Sequence, residues 1–429
     1  MLVKYDVAIV GAGLLGTTIS YWLSILYDIK IAVIDKESEV AMHASSRNTG
    51  IVHSPFYLDP IKKKILAKSA FLSYDLWKTY AEQRSLTWRT VGTLEVALDE
   101  DQHKTLEKYA KWGVQNCIPD NDLVLLEGKE VSKKEPNVSC YSALLCRRDS
   151  VVDYGVFTRE LKKESQKNGV TFLLRHKVKS IKEPLITFEN DGQVEADLII
   201  NCAGGNSLDI AKMFGIAQEY SDLHFRGEYW IAQKQYAELV KTNVYSVATF
   251  TDFPFLDPHW IIRSDGKSEV GPNAVPVPSA ETYSGYVGDP EVLISKLSEI
   301  ITGSARKLLL NRDFITLMSK EWLSSISKSA MIERVQQFIP RIRAEFFSER
   351  GTAGIRTPIV TPDGKFLPDV MEIDTQSSYH ILNYNSPGAT GAPAYSAHVV
   401  KTLREKGYLH YAERPKTSFW NFDKIIAQT

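Results

Sequence analysis

The stretch Tyr5-Asp6-Val7-Ala8-Ile9-Val10-Gly11-Ala12-Gly13-Leu14-Leu15-Gly16 decides the fold of this chain of 429 residues. It is an apolar strand that enters a Gly-x-Gly-x-x-Gly turn, and a helical pattern follows over residues 17–27. In such a turn Gly11 permits the sharp bend, Gly13 lets the backbone approach a pyrophosphate, and Gly16 lets the helix pack on the strand. The amides and positive dipole end of the helix attract phosphate groups. The stretch therefore predicts a dinucleotide-binding βαβ unit.

The acid that such a unit requires is Asp35, which ends the apolar run of residues 29–34. It follows the glycines by about 20 residues, the distance at which a carboxylate can hold ribose hydroxyls. A Gly-x-Gly-x-x-Gly sequence alone is weak evidence, and an ordinary glycine-rich turn between a strand and a helix is the alternative. The flanking strand, the helix and the position of Asp35 together favour the dinucleotide site.

Composition restricts the class of protein. Hydrophobic residues make up 44% and charged residues 24% of the chain, which is typical of a folded protein and not of a disordered one. The net charge of −1 gives no electrostatic reason to expect a nucleic acid partner. The run Lys62-Lys63-Lys64 is interpreted as a solvated helix face, with a membrane or phosphate role as the alternative.

The four cysteines show no C-x-x-C spacing, so we expect buried free thiols in a reducing cytoplasm and no metal site. Because the glycine motif begins at Tyr5, we expect no signal peptide. No apolar run reaches the roughly 18 residues that a membrane span needs. The predicted location is the cytoplasm, and peripheral contact with the inner face of the cell membrane, directly or through an anchoring partner, is the alternative.

Several elements can be placed along the chain. Asp59-Pro60 is expected to start a long helix that runs to about residue 83, and residues 99–112 are expected to form a helix that ends at Gly113. Residues 197–205 form a buried strand that enters a glycine turn, which is typical of a central parallel strand. Residues 226–275 alternate in the manner of an antiparallel sheet, and a helical region begins at Asp289-Pro290.

These elements predict an α/β fold, α+β overall, with two domains. A discontinuous Rossmann-like cofactor domain is expected over residues 1–85, 145–215 and 350–412. A substrate or capping domain with a mainly antiparallel sheet and helices is expected over residues 86–144 and 216–349. The tail, residues 413–429, carries aromatic side chains among charges, and we expect it to pack on its own domain; docking to a partner or a membrane surface is the alternative.

The segment Ala44-Ser45-Ser46-Arg47-Asn48-Thr49-Gly50-Ile51-Val52-His53 resembles the second cofactor-contacting loop of the D-amino-acid-oxidase-like FAD oxidoreductases. The loop Ser386-Pro387-Gly388-Ala389-Thr390-Gly391, before a helix, resembles their C-terminal element, whose amides and dipole stabilise negative charge on a reduced flavin. The resemblance implies FAD as the cofactor. The implied FAD-binding residues are Gly11, Gly13, Leu14, Leu15, Gly16, Asp35, Lys36, Ser45, Ser46, Arg47, Asn48, Thr49, Val178, Ala203, Gly204, Gly388, Ala389 and Thr390.

Within that superfamily the chain is most similar to the L-2-hydroxyglutarate dehydrogenase/oxidase family. The further pieces that carry the likeness are Lys134-Glu135-Pro136, Val151-Val152-Asp153-Tyr154, Phe225-Arg226-Gly227-Glu228-Tyr229, Phe253-Pro254-Phe255-Leu256, Gly271-Pro272-Asn273-Ala274-Val275 and Gly354-Ile355-Arg356. After His53 the family usually shows Ala-Gly-Ile-Tyr-Tyr, whereas this chain has Ser54-Pro55-Phe56-Tyr57-Leu58. Glycerol-3-phosphate dehydrogenases, which share the Arg-Asn-x-Gly loop and an equivalent histidine, are therefore the near alternative.

Either activity needs a base that titrates near neutrality and a cation for an anionic substrate. His53 is the first candidate base and His259 the second; His53 is alternatively a packing residue, a point of covalent flavin attachment or a structural histidine. Arg356 is the candidate clamp, because a guanidinium binds a carboxylate or phosphate through two hydrogen bonds, and a surface salt bridge is its alternative role. The weaker candidates for the substrate pocket are Tyr57, Arg226, Tyr229, Arg263 and Asn273.

The sequence thus predicts an FAD-dependent dehydrogenase that oxidises the secondary hydroxyl of a small anionic substrate to a ketone. L-2-Hydroxyglutarate or a similar 2-hydroxy acid is the first substrate, sn-glycerol-3-phosphate the second, and an amine or imino acid the third. The electron acceptor is a quinone, a soluble carrier or oxygen. A non-catalytic flavin-binding subunit of a redox complex is the alternative from another class, although such a subunit needs neither a base at His53 nor a clamp at Arg356.

Overall fold

The structure is a computed structural model that describes residues 2–250, 253–413 and 418–428. Its strands are β1 (Val3–Val10), β2 (Ile31–Ile34), β3 (Ile51–Val52), β4 (Arg89–Thr90), β5 (Thr93–Ala97), β6 (Leu123–Glu127), β7 (Ser142–Cys146), β8 (Ser150–Val151), β9 (Thr171–Leu173), β10 (Val178–Lys182), β11 (Leu185–Phe188), β12 (Gln193–Asn201), β13 (Ser221–Asp222), β14 (His224–Gly227), β15 (Trp230–Ala232), β16 (Asn243–Ser246), β17 (His259–Ile262), β18 (Ser268–Gly271), β19 (Val275–Val277), β20 (Phe347–Arg350), β21 (Gly354–Arg356), β22 (Ile359–Val360), β23 (Met371–Asp374) and β24 (Ser378–Leu382).

The α-helices follow the same order along the chain. They are α1 (Leu14–Leu26), α2 (Lys64–Arg84), α3 (Glu100–Gln115), α4 (Gly128–Lys134), α5 (Tyr154–Lys167), α6 (Ser207–Met213), α7 (Pro290–Thr302), α8 (Arg312–Ile326), α9 (Lys328–Gln336), α10 (Gly388–Glu405) and α11 (Phe422–Ile426).

The first large sheet is the Rossmann-like one. Its strands lie in the order β10-β11-β12-β1-β2-β9, with β24 beside β12 and β23 beside β24. The strands β9, β2, β1, β12 and β24 are parallel, so their carboxyl ends meet at one edge of the sheet. Helices α1, α2, α5 and α10 cover one face, where Trp22 and Trp77 are fully buried in a large apolar core. This face holds the segments that follow β1, β2, β12 and β24 in fixed positions.

The second large sheet is mainly antiparallel and has the order β20-β15-β18-β17-β16-β5-β7-β6, with one parallel pair between β16 and β5. One of its faces packs through residues such as Leu94 and Trp260 on α9 and on Phe338, which follows that helix. The two sheets confirm the predicted α/β class, with a Rossmann-like unit and a mainly antiparallel second unit. The predicted domain boundaries stay predictions; strands of the second sheet lie within 93–146 and 230–350.

The start of α2 differs from the prediction. The carboxylate of Asp59 accepts the backbone N–H groups of Ile61 and Lys62 at 2.9 and 3.0 Å. These bonds stabilise a separate turn, and the helix begins only at Lys64. The prediction that the helix starts at Asp59-Pro60 was therefore wrong, because the Asp59 carboxylate closes a turn that does not continue as an α-helix.

Gly113 does not end α3. The helix begins after Asp99, whose side chain accepts the N–H of Gln102, and it continues through Gly113 to Gln115. A Cβ atom on residue 113 would lie 2.3 Å from the Leu123 side chain. The glycine therefore serves a close packing contact inside the helix, and its role as a stop signal was wrongly predicted.

The C-terminal tail packs on the Rossmann-like unit, as expected. The indole N–H of Trp420 donates to the Leu76 carbonyl at 2.9 Å, and Phe422 lies against Trp22. Residues 414–417 and 429 of the predicted tail lie outside the described ranges. The apolar surface of the described part of the tail is thus used within the chain.

The cysteines are free thiols: Cys146 and Cys202 are buried, Cys140 is half-buried and Cys117 is exposed, so the expectation of buried thiols was wrong for Cys117. Among the described helices, none combines the length and the apolarity that crossing a bilayer requires.

We predict that Gly16→Ala lowers the free energy of unfolding by at least about 2 kcal/mol, because overpacking at a rigid contact is costly. The added Cβ would lie 2.0 Å from the Gly11 carbonyl oxygen, a backbone atom that cannot move away alone. Gly13→Ala is the matched control, since its Cβ would meet only the Ser45 hydroxyl at 3.1 Å. Chemical denaturation of both variants measures the difference; equal stabilities would contradict the close approach of helix and loop.

Candidate active site

The first strand, the second strand and β12 deliver their carboxyl ends to one place. The N–H of Gly11 donates to the Ile34 carbonyl, and the N–H of Cys202 donates to the Val10 carbonyl, both at 2.8 Å. Gly11 has φ +111°, and a Cβ there would lie 2.3 Å from the Cys202 carbonyl oxygen. Only glycine fits this position. The glycine motif therefore lies beside the Ala203 turn, as a cofactor site at strand ends requires.

The start of α1 is suited to a pyrophosphate. Helix α1 has Gly13 at its N-cap, without a side-chain cap, and the Leu14 N–H donates to the Ser45 hydroxyl at 2.8 Å. The N–H groups of Leu15 and Gly16 belong to the first turn, where a helix offers no carbonyl partner. Free amides, the positive helix end and a hydroxyl fit a phosphate ligand.

Asp35 fixes the glycine loop to the end of β2. Its two carboxylate oxygens accept the N–H groups of Ala12 and Glu37 at 2.7 and 2.9 Å. Each oxygen retains a lone pair with which a ribose hydroxyl can bond. The neighbouring Lys36 pairs with Glu37 and Glu281 at 3.0 and 2.5 Å, so the structure places it in an ion-pair network.

The loop over residues 44–50 has a defined shape. The Asn48 side chain donates to the carbonyls of Ala44 and Ser45 at 3.0 Å and accepts the Gly50 N–H at 2.8 Å. The Arg47 guanidinium lies 4.0 Å from the centre of the Tyr283 ring. Ser46 and Thr49 complete this loop, which follows the strand ends described above.

Two further predicted segments approach the same edge of the sheet. Val178 is the first residue of β10. Shortly before it, the N–H groups of residues 175 and 176 donate to the carbonyls of Glu37 and Asp35. Gly204, after Ala203, has φ +58° and open space around it. Both positions are compatible with contact to the nucleotide part of FAD.

The C-terminal loop lies against the segment that ends in His53. Helix α10 begins at Gly388, with Ala389 and Thr390 in its first turn and no side-chain cap. The Thr390 hydroxyl accepts the His53 N–H at 3.1 Å and donates to the Ile51 carbonyl at 3.3 Å. A positive helix end thus faces the region of His53, and the residues present fit a flavin.

His53 is paired with a buried carboxylate. In the antiparallel pairing of β3 and β8, Val52 lies opposite Ser150, so His53 follows opposite Asp149. The His53 Nδ1 atom lies 3.4 Å from Asp149 Oδ2, and the Asp149 side chain is 0% exposed. A carboxylate at Nδ1 favours the tautomer that carries hydrogen there and leaves Nε2 as the free base. The His53 side chain is 12% exposed, so part of the imidazole stays accessible.

The Asp149 carboxylate has three further donors. It accepts the Ser54 N–H at 2.7 Å, the Thr93 hydroxyl at 2.8 Å and the Cys146 thiol at 3.2 Å. This arrangement fixes the carboxylate in the orientation that His53 needs. The sequence analysis missed Asp149, since nothing local distinguishes it from the neighbouring charged residues; only the strand pairing brings it to His53.

His259, the second candidate base, is held by ring stacking and by a backbone hydrogen bond, and its role as a base stays a prediction. Its ring is stacked on Tyr245 with ring centres 3.8 Å apart, and Nδ1 lies 2.9 Å from the Asp257 carbonyl. Burial lowers the pKa of His259 to about 3, so the ring is neutral at neutral pH. Its Nε2 atom is buried and has no hydrogen-bond partner within the part of the chain that the structure describes.

Arg356 is a half-buried cation on β21. Its guanidinium donates to the Pro254 carbonyl and forms no ion pair with any described residue. Burial lowers the pKa of Arg356, while Tyr229 and Tyr57 act in the opposite direction. A half-buried guanidinium without an ion-pair partner can bind an anion through two hydrogen bonds, so Arg356 fits the predicted clamp.

Tyr57 contacts His53 and interacts electrostatically with Arg356. Its ring packs edge-on against His53 with ring centres 5.8 Å apart, and burial raises the pKa of its hydroxyl. Tyr229 is also buried, and burial raises its pKa to about 12. Both phenols are neutral, so they can hydrogen-bond a substrate without repelling an anion.

The remaining predicted pocket residues have partners within the protein. Phe225 is the residue of β14 that lies opposite Arg356 of β21, so the side chain of Arg226 points to the other face of this sheet. Arg226 pairs there with Glu228 at 2.9 Å. The other two bond acids and backbone: Asn273 donates to Glu228 at 3.0 Å, and Arg263 pairs with Glu269 and donates to the Asn48 carbonyl. The polar groups of these three side chains are therefore bonded within the protein, and their contact with substrate stays a prediction.

Glu95 is a second residue that the sequence analysis missed. It lies on β5 opposite Tyr245 of β16, on the face of the second sheet that carries His259. Burial raises the pKa of Glu95 to about 8, so its carboxyl group is largely protonated at neutral pH. A neutral carboxyl can donate a hydrogen bond in this pocket. Its position in a strand gave no sign of this, because all five residues of β5 are buried and a strand pattern does not predict chemistry.

Known proteins resemble this chain over most of its length. The chain is 29% identical over 411 residues to the mitochondrial L-2-hydroxyglutarate dehydrogenase of Caenorhabditis briggsae, and the match covers 92% of each protein. It is 28% identical over 427 residues to the Homo sapiens protein of the same name, covering 94% of this chain and 89% of that one. The solved structure of L-alpha-glycerophosphate oxidase from Mycoplasma pneumoniae with FAD bound has a TM-score of 0.73 at 20% identity, covering 97% of both chains.

The fold and the site define an FAD-dependent oxidoreductase. The model of the DAO family, FAD dependent oxidoreductase, matches residues 6–402. The chain belongs to this family, and the predicted cofactor, FAD, is confirmed.

We predict that the parent protein loses stability as the pH rises from about 4.5 to 8, and that the Glu95→Gln variant does not. The folded protein binds the Glu95 proton more tightly than the unfolded chain does, so stability falls as pH rises through this window and then levels off. At pH 8 the variant should be more stable by about 2–4 kcal/mol. Thermal unfolding of the FAD-bound proteins across this range measures it. Glu82→Gln, an exposed acid, is the control, and parallel profiles for all three proteins would contradict the burial of Glu95.

Proposed function

We propose that this protein oxidises the secondary hydroxyl of a small anionic substrate to a ketone, and that L-2-hydroxyglutarate or a similar 2-hydroxy acid is that substrate. The observation that carries the proposal is the grouping of a base, its carboxylate and an unpaired cation: His53, Asp149 and Arg356. Tyr57 connects these groups, because its ring packs against His53 and its hydroxyl interacts electrostatically with Arg356. An inert flavin-binding subunit has no need for such a group.

Each residue has a distinct task. Arg356 binds the substrate carboxylate through two parallel hydrogen bonds and so fixes the hydroxyl-bearing carbon. His53 Nε2 takes the hydroxyl proton, and Asp149 stabilises the imidazolium that results. FAD supplies the acceptor for the two electrons that leave the same carbon with its hydrogen. The buried phenol of Tyr245 and the half-buried phenol of Tyr57 reduce the access of water to the reacting groups.

Two kinds of likeness bear on the choice of substrate. The relatives that match more than nine-tenths of this chain carry the name L-2-hydroxyglutarate dehydrogenase. The glycerophosphate oxidase shares the fold at 20% identity. We therefore place 2-hydroxyglutarate before glycerol-3-phosphate, and both are secondary alcohols beside an anionic group that Arg356 can bind.

The test is anaerobic reduction of the bound FAD with L-2-hydroxyglutarate, its D-enantiomer, glycerol-3-phosphate, L-malate and L-lactate side by side. We expect L-2-hydroxyglutarate to bleach the oxidised flavin band at least about tenfold more efficiently than the others. Fastest bleaching by glycerol-3-phosphate would replace the proposed substrate, and no bleaching by any alcohol would favour the non-catalytic subunit. Reoxidation by oxygen, a soluble carrier or a quinone analogue then identifies the electron acceptor.

We predict that Asp149→Asn slows flavin reduction by roughly 10²–10⁴-fold with little change in FAD content, because an amide no longer fixes the productive tautomer of His53. His53→Asn should have at least as large an effect, and the double variant should be little slower than His53→Asn alone, since the two residues act as a unit. Stopped-flow absorbance measures the rates. Asp75→Asn, a surface acid paired with Arg148, is the control. Additive losses in the double variant would separate Asp149 from His53.

A further inference from the structure

The middle residue of the run Lys62-Lys63-Lys64 differs from its neighbours. Lys62 and Lys64 are exposed, as expected for a solvated face, whereas Lys63 is half-buried. Lys63 is the N-cap residue of α2, and its side chain makes no capping bond. The interpretation of the whole run as a solvated face was therefore wrong for this residue.

Lysine is unfavourable in this position. N-cap positions favour Ser, Thr, Asp or Asn, and a cation at the N-terminus of a helix opposes the positive dipole end. The amide of Ile65 in the first turn is already bound by the Asp369 carboxylate at 3.3 Å. Within the described ranges, the Lys63 ammonium forms no hydrogen bond or ion pair. Residues that break local rules in this way, with no compensating contact, are characteristic of functional sites.

Lys63 belongs to the neighbourhood of the candidate clamp. The segment around it packs with Tyr57 through Leu58 and Leu66, and the Tyr57 ring packs edge-on against His53. Burial lowers the pKa of Lys63, and the positive charge of Arg356 lowers it further, while Asp369 and Asp59 raise it. Two cations without ion-pair partners among the described residues are thus close enough to interact electrostatically.

We propose that Lys63 is a specificity-determining residue that binds the second negative charge of a dianionic substrate, while Arg356 binds the first. For a 2-hydroxy dicarboxylate, Arg356 takes the carboxylate beside the hydroxyl-bearing carbon and Lys63 takes the distal carboxylate. The two anionic groups remove the repulsion between the cations and satisfy their free donors. This inference rests on the proposed function and names the residue that selects substrates with two negative charges.

The test compares ligands of equal length that differ by one charge. L-2-Hydroxyglutarate and L-2-hydroxyvalerate serve as substrates in anaerobic flavin reduction, and glutarate and pentanoate serve as non-oxidisable ligands whose binding is followed by the flavin spectrum. The variants of the FAD-bound protein are Lys63→Gln and Lys63→Arg, with Lys62→Gln and Lys64→Gln as exposed controls from the same run.

For Lys63→Gln we expect dissociation constants about tenfold or more higher for the two dianions and changes below about twofold for the monoanions. Lys63→Arg should retain most of the preference, since the charge remains, and the two controls should match the parent protein. Arg356→Gln should instead weaken the monoanions and the dianions alike. This pattern separates the distal site from the clamp.

The inference is overturned if the parent protein binds glutarate no tighter than pentanoate, or if Lys63→Gln changes both ligand classes equally or neither. A loss of thermal stability in Lys63→Gln without a change in ligand preference also overturns it, because that is the signature of a purely structural lysine. If glutarate binding depends on Lys63 but 2-hydroxyglutarate does not reduce the flavin, the proposed function fails and the dianion site stands.

Discussion

The hydrogen bonds to the buried carboxylate of Asp149 are the interaction on which the site depends. Its side chain accepts the Ser54 N–H, the Thr93 hydroxyl and the Cys146 thiol, and its backbone carbonyl accepts the N–H groups of residues 91 and 92. Thr93 and Cys146 belong to the second sheet, whereas Ser54 belongs to the segment after the FAD loop. One buried anion therefore joins the segment after the FAD loop to the second sheet. An unpaired carboxylate could not remain there, so the contacts must form together.

The pocket separates two kinds of charge. Arg356 and Lys63 contribute positive charge with no ion-pair partner in the described chain, while the Asp149 carboxylate is enclosed by donors and turned toward His53. Glu95, on the same face of the second sheet as His259, is kept largely protonated by burial and so does not cancel the cations. A pocket with net positive charge and neutral phenols favours an anion, and the base at His53 stays oriented by a carboxylate that does not face the substrate.

Much of the fold was predictable because it depends on local rules. The glycine motif with Asp35, the buried strand before Ala203 and the antiparallel pattern after Arg226 each depend on burial and turn geometry that neighbouring residues specify. The errors arose where a local signal has two uses. Asp59 caps a turn as well as it caps a helix, and Gly113 serves packing inside α3 as well as it ends a helix.

The sequence by itself determined the Rossmann-like unit, the cofactor loops and the identity of His53 and Arg356 as candidates, because these follow from motifs whose residues are close together in the chain. Only the tertiary structure decided that Asp149 stands opposite His53, that Glu95 is protonated, and that the charge of Arg356 acts on Lys63. These relations join residues far apart in the chain. Their chemistry is set by strand register and by removal from water, and neither quantity is written in the local pattern of a sequence.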